Sequence, residues 1–379
     1  MKLLPLCVFW CLWYLNFFTR TSFSPILPLI EDTLSLSHGE AGGLVASYSM
    51  GYAATLLIAG RFVPVWGYKR TVAFGFLGIG LVLISLQWVE HYLAFHVLFF
   101  LLGLATGTYL PAILPIITEM YDPQRWGTAI GIHDSAASVA ILSAPMLIAL
   151  GLQFLPWKTI LLLLGIVSLI LPFFFWKVSS EPELRTPHRG SHYVHLFKRK
   201  PIWIMAVLWV LAAASNMGVY SMLPLYLIKE RGMEYTFANN LVGISRIGGI
   251  VVPVSIGFLI DRYGYRIMLM LSLLTTGLST VFLSIAPTFS LLLIALFFQA
   301  AFSLAFFPVG LAAIAKLTSP EERSMGIGAI LSTGVIFGMG GAPLFLGIIA
   351  DHFNFQIGIL CMGILTTFSF FMVKYLKKG

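Results

Sequence analysis

Charged residues are scarce in this chain. Asp, Glu, Lys and Arg together account for 10% of its 379 residues, and 59% of the residues are hydrophobic. An ordinary soluble domain carries roughly 25% charged residues. The composition therefore excludes a soluble globular protein and indicates an integral membrane protein. Since one span needs roughly 20 apolar residues, this length predicts about twelve membrane-spanning helices and leaves no room for a soluble domain.

Reactive and metal-ligating clusters are also missing from the sequence. The cysteines Cys7, Cys11 and Cys361 all fall inside apolar runs, without the spacing of a zinc site or a disulfide framework. We predict that they are free and buried as small hydrophobes. No nucleophile with a base, no metal-ligand cluster and no nucleotide-binding loop is recognisable. We therefore expect a protein that is not an enzyme, holds no metal or cofactor, and does not use ATP directly.

Long polar segments are equally rare. Only residues 178–200 form one, and this segment predicts a solvated linker. It separates a predicted N-terminal bundle, residues 1–177, from a predicted C-terminal bundle, residues 201–379. The predicted spans are residues 4–29, 40–60, 70–88, 92–118, 126–153 and 158–177, followed by 201–228, 236–258, 265–286, 288–315, 324–350 and 355–375.

The two halves repeat each other at a constant offset. Pro111 recurs as Pro308, and Pro123 recurs as Pro320, in each case 197 residues later. Further pairs are Gly60 with Gly257, Gly67 with Gly264, and Ala144-Pro145 with Ala342-Pro343. The repeat predicts six helices duplicated in parallel, an arrangement typical of transporters built as two bundles around a central cavity.

Lys and Arg concentrate on one side of the predicted topology. We count 18 on the side that holds both termini and the linker, 3 on the other side and 2 inside the membrane, which accounts for all 23. Since such residues favour cytoplasmic loops, both termini are predicted to be cytoplasmic, in a plasma membrane of the prokaryotic type. The bias also explains the net charge of +8. The lipid bilayer is therefore the expected partner of a monomeric chain, and nucleic acid is not.

Two loops carry matching motifs at the repeat offset. Residues 257–266, GFLIDRYGYR, fit a G-x-L-x-D-R-x-G pattern and include Gly257, Asp261, Arg262, Gly264 and Arg266. Residues 60–70, GRFVPVWGYKR, keep Gly60, Gly67 and Arg70 but have Pro64 in place of the aspartate. With this motif in a duplicated chain of twelve predicted spans, the sequence resembles the major facilitator superfamily over essentially its whole length.

The resemblance implies a fold and a mode of action. It implies twelve transmembrane helices in two six-helix bundles with pseudo-two-fold symmetry, and secondary transport by alternating access. In this family the motif aspartate takes part in a charge-and-dipole contact that stabilises the outward-open state. Asp261 retains this group, whereas Pro64 can neither pair with a cation nor donate a backbone hydrogen bond. The alternative, that the motif residues only form tight cytoplasmic turns, stays open at this point.

Three charged residues lie deep inside predicted spans: Arg20, Asp134 and Arg246. A guanidinium is costly to hold at membrane depth, so these positions indicate a functional site. Helical rise places Asp134 and Arg246 at similar depths, about 12 and about 16 Å from the same face. Because the family architecture packs the fifth span against the eighth, we predict that these two residues form a pair. Arg20 then leaves one uncompensated positive charge, which predicts an anionic substrate.

The region around Arg20 adds to this hypothesis. Residues 19–43, TRTSFSPILPLIEDTLSLSHGEAGG, resemble the first-span region of the family's organic-anion members, in which an arginine binds carboxylate or phosphate. Further candidates for the substrate cavity are Asn16, Tyr48, Tyr52, Tyr109, Asn216 and Tyr220.

Other interpretations of these residues stay open. Arg20 could extend to the outer headgroups, and Arg246 could bond only to backbone carbonyls. A protonated Asp134 could be a proton-coupling site. His133 is grouped with it as a coupling candidate, although a polar helix-face residue is the simpler interpretation. Gly338 and Pro343 are candidates for bending or close packing of the eleventh span.

The favoured hypothesis is a secondary active transporter of a small organic anion, carboxylate or phosphate-like, working as a proton symporter or an exchanger. One alternative is an exporter of drug-like or amphipathic compounds, which the aromatic content of 14% permits. A third hypothesis is a transceptor or assembly factor that keeps the fold without transport, because the first-half motif lacks its aspartate.

Overall fold

The computed structural model of the protein describes residues 3–182, 198–249, 252, 259–260 and 262–376, without the side chains of residues 320–325. All regular structure in these ranges is helical. Eleven helices of the described ranges are long and apolar enough to cross a membrane. The prediction of an all-helical membrane protein is therefore confirmed.

The helices follow the predicted spans in chain order. In the first half they are α1 (Leu3–Leu34), α2 (His38–Trp66), α3 (Tyr68–Trp88), α4 (Tyr92–Met120), α5 (Pro123–Gly151) and α6 (Trp157–Val178). In the second half they are α7 (Lys200–Glu230), α8 (Tyr235–Ser245), α9 (Tyr265–Ile285), α10 (Phe289–Leu317), α11 (Gly326–His352, preceded by helical residues from Pro320) and α12 (Phe355–Tyr375). The predicted eighth span, 236–258, continues past α8 into residues outside the described ranges, where most of the predicted linker also lies.

The helix starts repeat the offset found in the sequence. Helices α7, α8, α9 and α10 begin 197 residues after α1, α2, α3 and α4, respectively. The helical segment at Pro320 begins 197 residues after Pro123, and α12 begins 198 residues after α6. The turns of the two halves are therefore spaced alike, so equivalent residues lie at equivalent positions along their helices.

Equivalent glycines make equivalent helix crossings in the two halves. A Cβ atom on Gly80 of α3 would lie 2.9 Å from the carbonyl oxygen of Gly165 in α6. A Cβ atom on Gly363 of α12 would lie 3.1 Å from the carbonyl oxygen of Gly277 in α9. Small residues let helix backbones approach closely, as is common in membranes. Each half thus packs its third helix almost backbone to backbone against its sixth.

The chain forms two compact units. The first comprises Met1–Leu29 and Ser47–Arg189, and the second comprises Ile30–Ala46 and Gly190–Gly379. Helix α3 packs against α4 and α6 in the first unit, and α9 packs against α10 and α12 in the second. The C-terminal end of α1 and the N-terminal end of α2 belong to the second unit by their contacts. The division into two bundles at residues 178–200 stays a prediction.

Large apolar side chains are exposed along the helices. Phe173, Phe174 and Trp176 of α6 are examples. In a membrane these side chains face hydrocarbon, which solvates them as well as a protein core would. Cys7 and Cys11 are exposed on α1 for the same reason, so the prediction that all three cysteines are buried is wrong for these two.

Candidate functional site

Arg246 is a buried cation without an acceptor among the described residues. It directly follows α8 as the C-cap residue and is 4% exposed. Its Nε, Nη1 and Nη2 atoms have no hydrogen-bond partner in these ranges of the chain. Its Cζ atom lies 4.5 Å from the centre of the buried Tyr220 ring of α7. A ring face attracts the cation, but it does not satisfy the in-plane N–H donors, which stay available for an anion.

Arg20 lies in α1 and stacks on two aromatic rings of its own unit. Its Cζ atom is 4.5 Å from the centre of the Phe17 ring and 4.7 Å from that of Tyr52 in α2. Arg20 is partly buried, and Tyr52 is buried. These contacts hold the guanidinium against α2, which favours a fixed position over extension toward lipid headgroups.

In each unit an arginine stacks on a tyrosine of the neighbouring helix. The order of the two residues along the chain is reversed between the units. In the first unit the arginine is on α1 and Tyr52 is on α2. In the second unit Tyr220 is on α7, and Arg246 follows α8. Stacking fixes the plane of a guanidinium and orients the N–H groups of its edge, the geometry that a bidentate contact with carboxylate or phosphate requires. Each unit therefore carries an oriented cation.

Asn16 and Asn216 connect helices within their units. Asn16 Nδ2 donates to the carbonyl oxygen of Thr106 in α4 at 3.1 Å. Asn216 Nδ2 donates to Ser303 Oγ in α10 at 2.8 Å. Thr106 and Ser303 are 197 residues apart and so hold equivalent positions in the repeat, whereas Asn16 and Asn216 are 200 residues apart. Tyr48 shares a hydrogen bond of 2.7 Å with Thr106 Oγ1. Both asparagines are buried, and their role in substrate binding stays a prediction.

His133 and Asp134 join α5 to α1 and α4. Asp134 is exposed, and its Oδ1 accepts a hydrogen bond from Trp13 Nε1 at 3.2 Å. His133 is buried, with Nε2 3.1 Å from the Tyr109 hydroxyl, which donates to the Phe9 carbonyl oxygen at 2.9 Å. The rings of Trp13, Tyr109 and His133 stack on one another. His133 is thus part of a packed core, and Asp134 presents a carboxylate. Its pairing with Arg246 stays a prediction.

The motif loops start helices with glycine turns. Gly67 precedes α3 with a φ of 96°, and Gly264 precedes α9 with a φ of 78°. A side chain is strained in this left-handed region, which explains glycine at both positions. Arg266 Nη2 donates to the carbonyl oxygen of Leu376 at 2.5 Å and so ties the start of α9 to the end of α12. Gly60, Arg70 and Arg262 are exposed, and Gly257 and Asp261 lie outside the described residues.

Glu181 supplies a carboxylate to the loop in which Pro64 replaces the aspartate. Its side chain accepts hydrogen bonds from the backbone N–H groups of Tyr68 at 2.6 Å and Lys69 at 3.1 Å. These N–H groups begin α3 and have no partner inside the helix. This role is not recognisable from the sequence, because a glutamate that follows a span looks like part of a solvated linker.

Replacing Glu181 with alanine should destabilise the first unit. The loss of a helix cap typically costs about 1 kcal/mol, so we expect a lower melting temperature in detergent. Glu90→Ala, at an exposed position between α3 and α4, is the matched control and should leave the melting temperature unchanged. Equal melting temperatures for the two variants would contradict a capping role for Glu181.

Gly338 and Pro343 let α11 approach other helices of the second unit. A Cβ atom on Gly338 would lie 2.6 Å from the carbonyl oxygen of Val210 in α7. Pro343 is buried, and a Cβ atom on Gly42 of α2 would lie 2.7 Å from its carbonyl carbon. Gly338 also lies in a π-helical turn, Gly334–Gly340, a feature frequent at functional sites. Bending of α11 at these residues stays a prediction.

A family comparison accounts for the repeat, the helix count and the motif loops together. The model of the Major Facilitator Superfamily matches residues 9–256 and 235–378. The chain belongs to this superfamily. The predicted fold of twelve membrane helices and the prediction of a transporter that is not an enzyme are thereby confirmed.

Curated relatives from Bacillus subtilis (strain 168) are named for different cargoes. The chain is 24% identical to the putative niacin/nicotinamide transporter NiaP, over 90% of this chain and 87% of that protein. It is 23% identical to multidrug resistance protein 2, over 74% of this chain and 73% of that protein. It is 22% identical to the hexuronate transporter, over 66% of this chain and 62% of that protein. These relatives agree on transport and differ in substrate.

Solved structures share the fold. A bacterial homologue of the human lysosomal transporter Spinster, in an inward-facing and unoccupied conformation, matches with a TM-score of 0.83 and 14% identity. The match covers 98% of this chain and 96% of that one. At this identity the likeness concerns the fold alone.

Proposed function

We propose that this member of the superfamily is a secondary active transporter of a small organic anion and that Arg246 and Arg20 provide the charge that binds it. The observation that carries the proposal is the buried guanidinium of Arg246, which has no hydrogen-bond partner in the described part of the chain. Holding such a cation inside a membrane span costs several kcal/mol. An anionic ligand supplies the missing acceptors.

The ring contacts of both arginines favour a flat or forked anionic group. Tyr220 stacks on Arg246, and Tyr52 stacks on Arg20. A guanidinium with its face covered offers two parallel N–H donors at its edge, which match a carboxylate or a phosphate. The names of two relatives include the carboxylates niacin and hexuronate, and the first of these names also includes nicotinamide, which is a neutral amide.

The mechanism that we propose is alternating access in a plasma membrane, with both termini cytoplasmic and the protein working as a monomer. Asp134 is the acidic group best placed to accept a proton, since its carboxylate is exposed within α5 and accepts a single indole hydrogen bond among the described contacts. Proton symport and anion exchange both fit this arrangement.

A thermal-shift screen with matched acid and neutral compounds tests the proposal. The pairs are nicotinate with nicotinamide and glucuronate with glucose, and tetraphenylphosphonium represents lipophilic cations. A ligand at about 100 times its Kd stabilises the folded state by about 2.7 kcal/mol. We expect at least one acid to raise the melting temperature and its neutral partner to leave it unchanged. Stabilisation by the cation alone would favour the drug-exporter alternative and overturn the proposal.

A further inference from the structure

Gln299 is a buried amide in the middle of α10. Its side chain is 0% exposed, and its Nε2 donates to the carbonyl oxygen of Ser215 in α7 at 2.5 Å. Because a carbonyl can only accept, this contact fixes which end of the amide is the nitrogen and leaves Oε1 on the other side. Oε1 has no hydrogen-bond partner among the described residues. Gln299 thus holds a buried acceptor that no described group satisfies, which is costly inside a membrane.

The amide nitrogen of Gln299 has a structural role. Helix α7 contains a π-helical turn, Ala214–Gly218, and the Ser215 carbonyl that accepts from Nε2 lies in this turn. Helix α1, the counterpart of α7 in the first half, is α-helical throughout Leu3–Leu34, and α4 carries Leu102 at the position that corresponds to Gln299. Glutamine therefore occurs where a backbone group freed by a π-turn needs a partner. This role does not explain the amide oxygen.

Helix α8 and the residues that follow it run parallel to α10. Near the starts of both helices, the ring centres of Phe237 and Phe289 lie 5.7 Å apart. Further along, a Cβ atom on Gly249 would lie 3.3 Å from the carbonyl oxygen of Ala300. The two pairs are 52 and 51 positions apart in the sequence, so the register is nearly constant over this length. Residues of the two segments that differ by 51 or 52 positions therefore lie at the same depth.

This register places Arg246 beside Gln299 in depth. Arg246 corresponds to position 297 or 298 of α10, which is about 1.5 to 3 Å from Gln299 along the helix. Both side chains also reach α7, where Arg246 stacks on Tyr220 and Gln299 bonds to Ser215. A backbone hydrogen bond of the π-turn joins residues five apart, so the turn brings Ser215 and Tyr220 to the same side of α7. The amide oxygen and the guanidinium are therefore about one helical turn, roughly 5 Å, apart.

The two groups do not satisfy each other. The N–H donors of Arg246 and the Oε1 acceptor of Gln299 all have no hydrogen-bond partner among the described residues. A ligand whose carboxylate accepts from Arg246 brings its neighbouring atoms to within reach of Oε1. Such a ligand satisfies both groups only if it carries a hydrogen-bond donor close to its carboxylate.

A hydroxyl group fits this position better than an ammonium group. An ammonium group would lie on the order of 5 Å from the Arg246 guanidinium, and two like charges repel strongly in a buried site. The amide oxygen is neutral and does not compensate a second cation. A hydroxyl group is neutral as well and supplies the one donor that Oε1 requires.

We propose that Gln299 selects a hydroxycarboxylate: Arg246 binds the carboxylate, and Gln299 Oε1 accepts a hydrogen bond from a hydroxyl group of the same ligand. This assignment rests on the proposed function, since it takes the ligand of Arg246 to be an anion. It adds the class of substrate and makes Gln299 a specificity-determining residue. A carboxylate of the same shape without the hydroxyl group leaves Oε1 unpaired and therefore binds more weakly.

Matched acids with and without hydroxyl groups test this assignment. The pairs are lactate with propionate, mandelate with phenylacetate, and glucuronate with cyclohexanecarboxylate, and titration calorimetry of the purified protein measures each Kd. In at least one pair we expect the hydroxy acid to bind the parent protein roughly ten- to a hundredfold more tightly than its partner. In Gln299→Met this ratio should fall to about one, because the hydroxy acid loses its acceptor and the plain acid loses nothing.

A matched control separates the amide oxygen from a general disturbance of the π-turn. Thr366 of α12 shares a hydrogen bond of 2.8 Å with Ser215 Oγ. Thr366→Val removes this bond at the same residue of α7 and leaves the amide of Gln299 in place. It should keep the preference for the hydroxy acid. A preference that persists in Gln299→Met, or one that disappears in Thr366→Val, would overturn the proposal.

The parent protein separates a failure of this assignment from a failure of the proposed function. If both acids of every pair bind equally well, Gln299 selects nothing, and the anion transporter stands. If no acid binds at all, the proposed function fails together with this assignment. Where Gln299→Met does not fold, Gln299→Leu replaces it, because leucine already occupies the corresponding position 102. The comparison of acids in the parent protein needs no variant.

Discussion

Replacing Arg246 with glutamine should remove the anion-induced thermal shift and raise the melting temperature of the ligand-free protein. The side chain is buried and has no acceptor among the described residues, so its charge opposes folding until a ligand arrives. Removing it should stabilise the free protein by about 1 to 2 kcal/mol, as is common where function costs stability. The lost contact should weaken anion binding by roughly ten- to a hundredfold.

Two variants make this result interpretable. Arg246→Lys keeps the charge and loses the planar fork, so its anion affinity should lie between those of the parent and Arg246→Gln. Arg231→Gln alters a guanidinium that donates to the Ala286 carbonyl at 2.8 Å, and it should keep full anion binding. If Arg246→Gln binds the anion as tightly as the parent protein, Arg246 is no ligand. A lower melting temperature would mean that the arginine has a structural partner.

Replacing Gly103 with alanine should sharply reduce the yield of folded protein. A Cβ atom at Gly103 of α4 would lie 2.7 Å from the backbone nitrogen of Tyr52 in α2. The reciprocal contact is equally tight, because a Cβ atom on Gly51 would lie 2.9 Å from the backbone nitrogen of Leu104. Forcing two backbones apart costs about 1 to 3 kcal/mol and also displaces the Tyr52 ring from Arg20. Size-exclusion chromatography and thermal unfolding measure the loss.

The control for Gly103 is another helical glycine. A Cβ atom on Gly131 of α5 would have no atom of the described residues within 4 Å, so alanine meets open space there. Gly131→Ala should be neutral or stabilising by up to about 1 kcal/mol, because alanine favours helix more than glycine does. The prediction for Gly103 is wrong if both variants give the parent's yield and melting temperature.

The fold is predictable because its signals are repeated along the sequence. Apolar runs give the helices, and the offset of 197 residues between Pro123 and Pro320 gives the duplication. Arg20 and Arg246 stand out since a charge inside an apolar run is rare. Their ring partners cannot be singled out in the same way: Tyr52 and Tyr220 are among several aromatic candidates, and only the structure places each of them on a guanidinium.

The contacts that the sequence does not predict join residues far apart in the chain. Asp351 and Glu181 are among the acids of loops and span ends, where a carboxylate needs no special explanation. Nothing in their spacing indicates that Asp351 caps α2 or that Glu181 caps α3. A helix cap from another segment depends on how close two helices approach. That distance is set by side-chain volume at crossings such as Gly39 with Gly347, which composition and hydropathy do not reveal.

The position of Asp351 also has a consequence for biosynthesis. The carboxylate lies 313 residues after the His38 N–H that it caps. Ser37 caps the Glu40 N–H locally, but at a translation rate of about 5 to 20 residues per second the His38 and Gly39 N–H groups wait roughly 16 to 60 s for Asp351. During that interval water or lipid headgroups must solvate the exposed N–H groups. Ribosome-bound chains stopped before α11 should therefore leave these two N–H groups of α2 uncapped, and late synthesis completes a helix start that is made early.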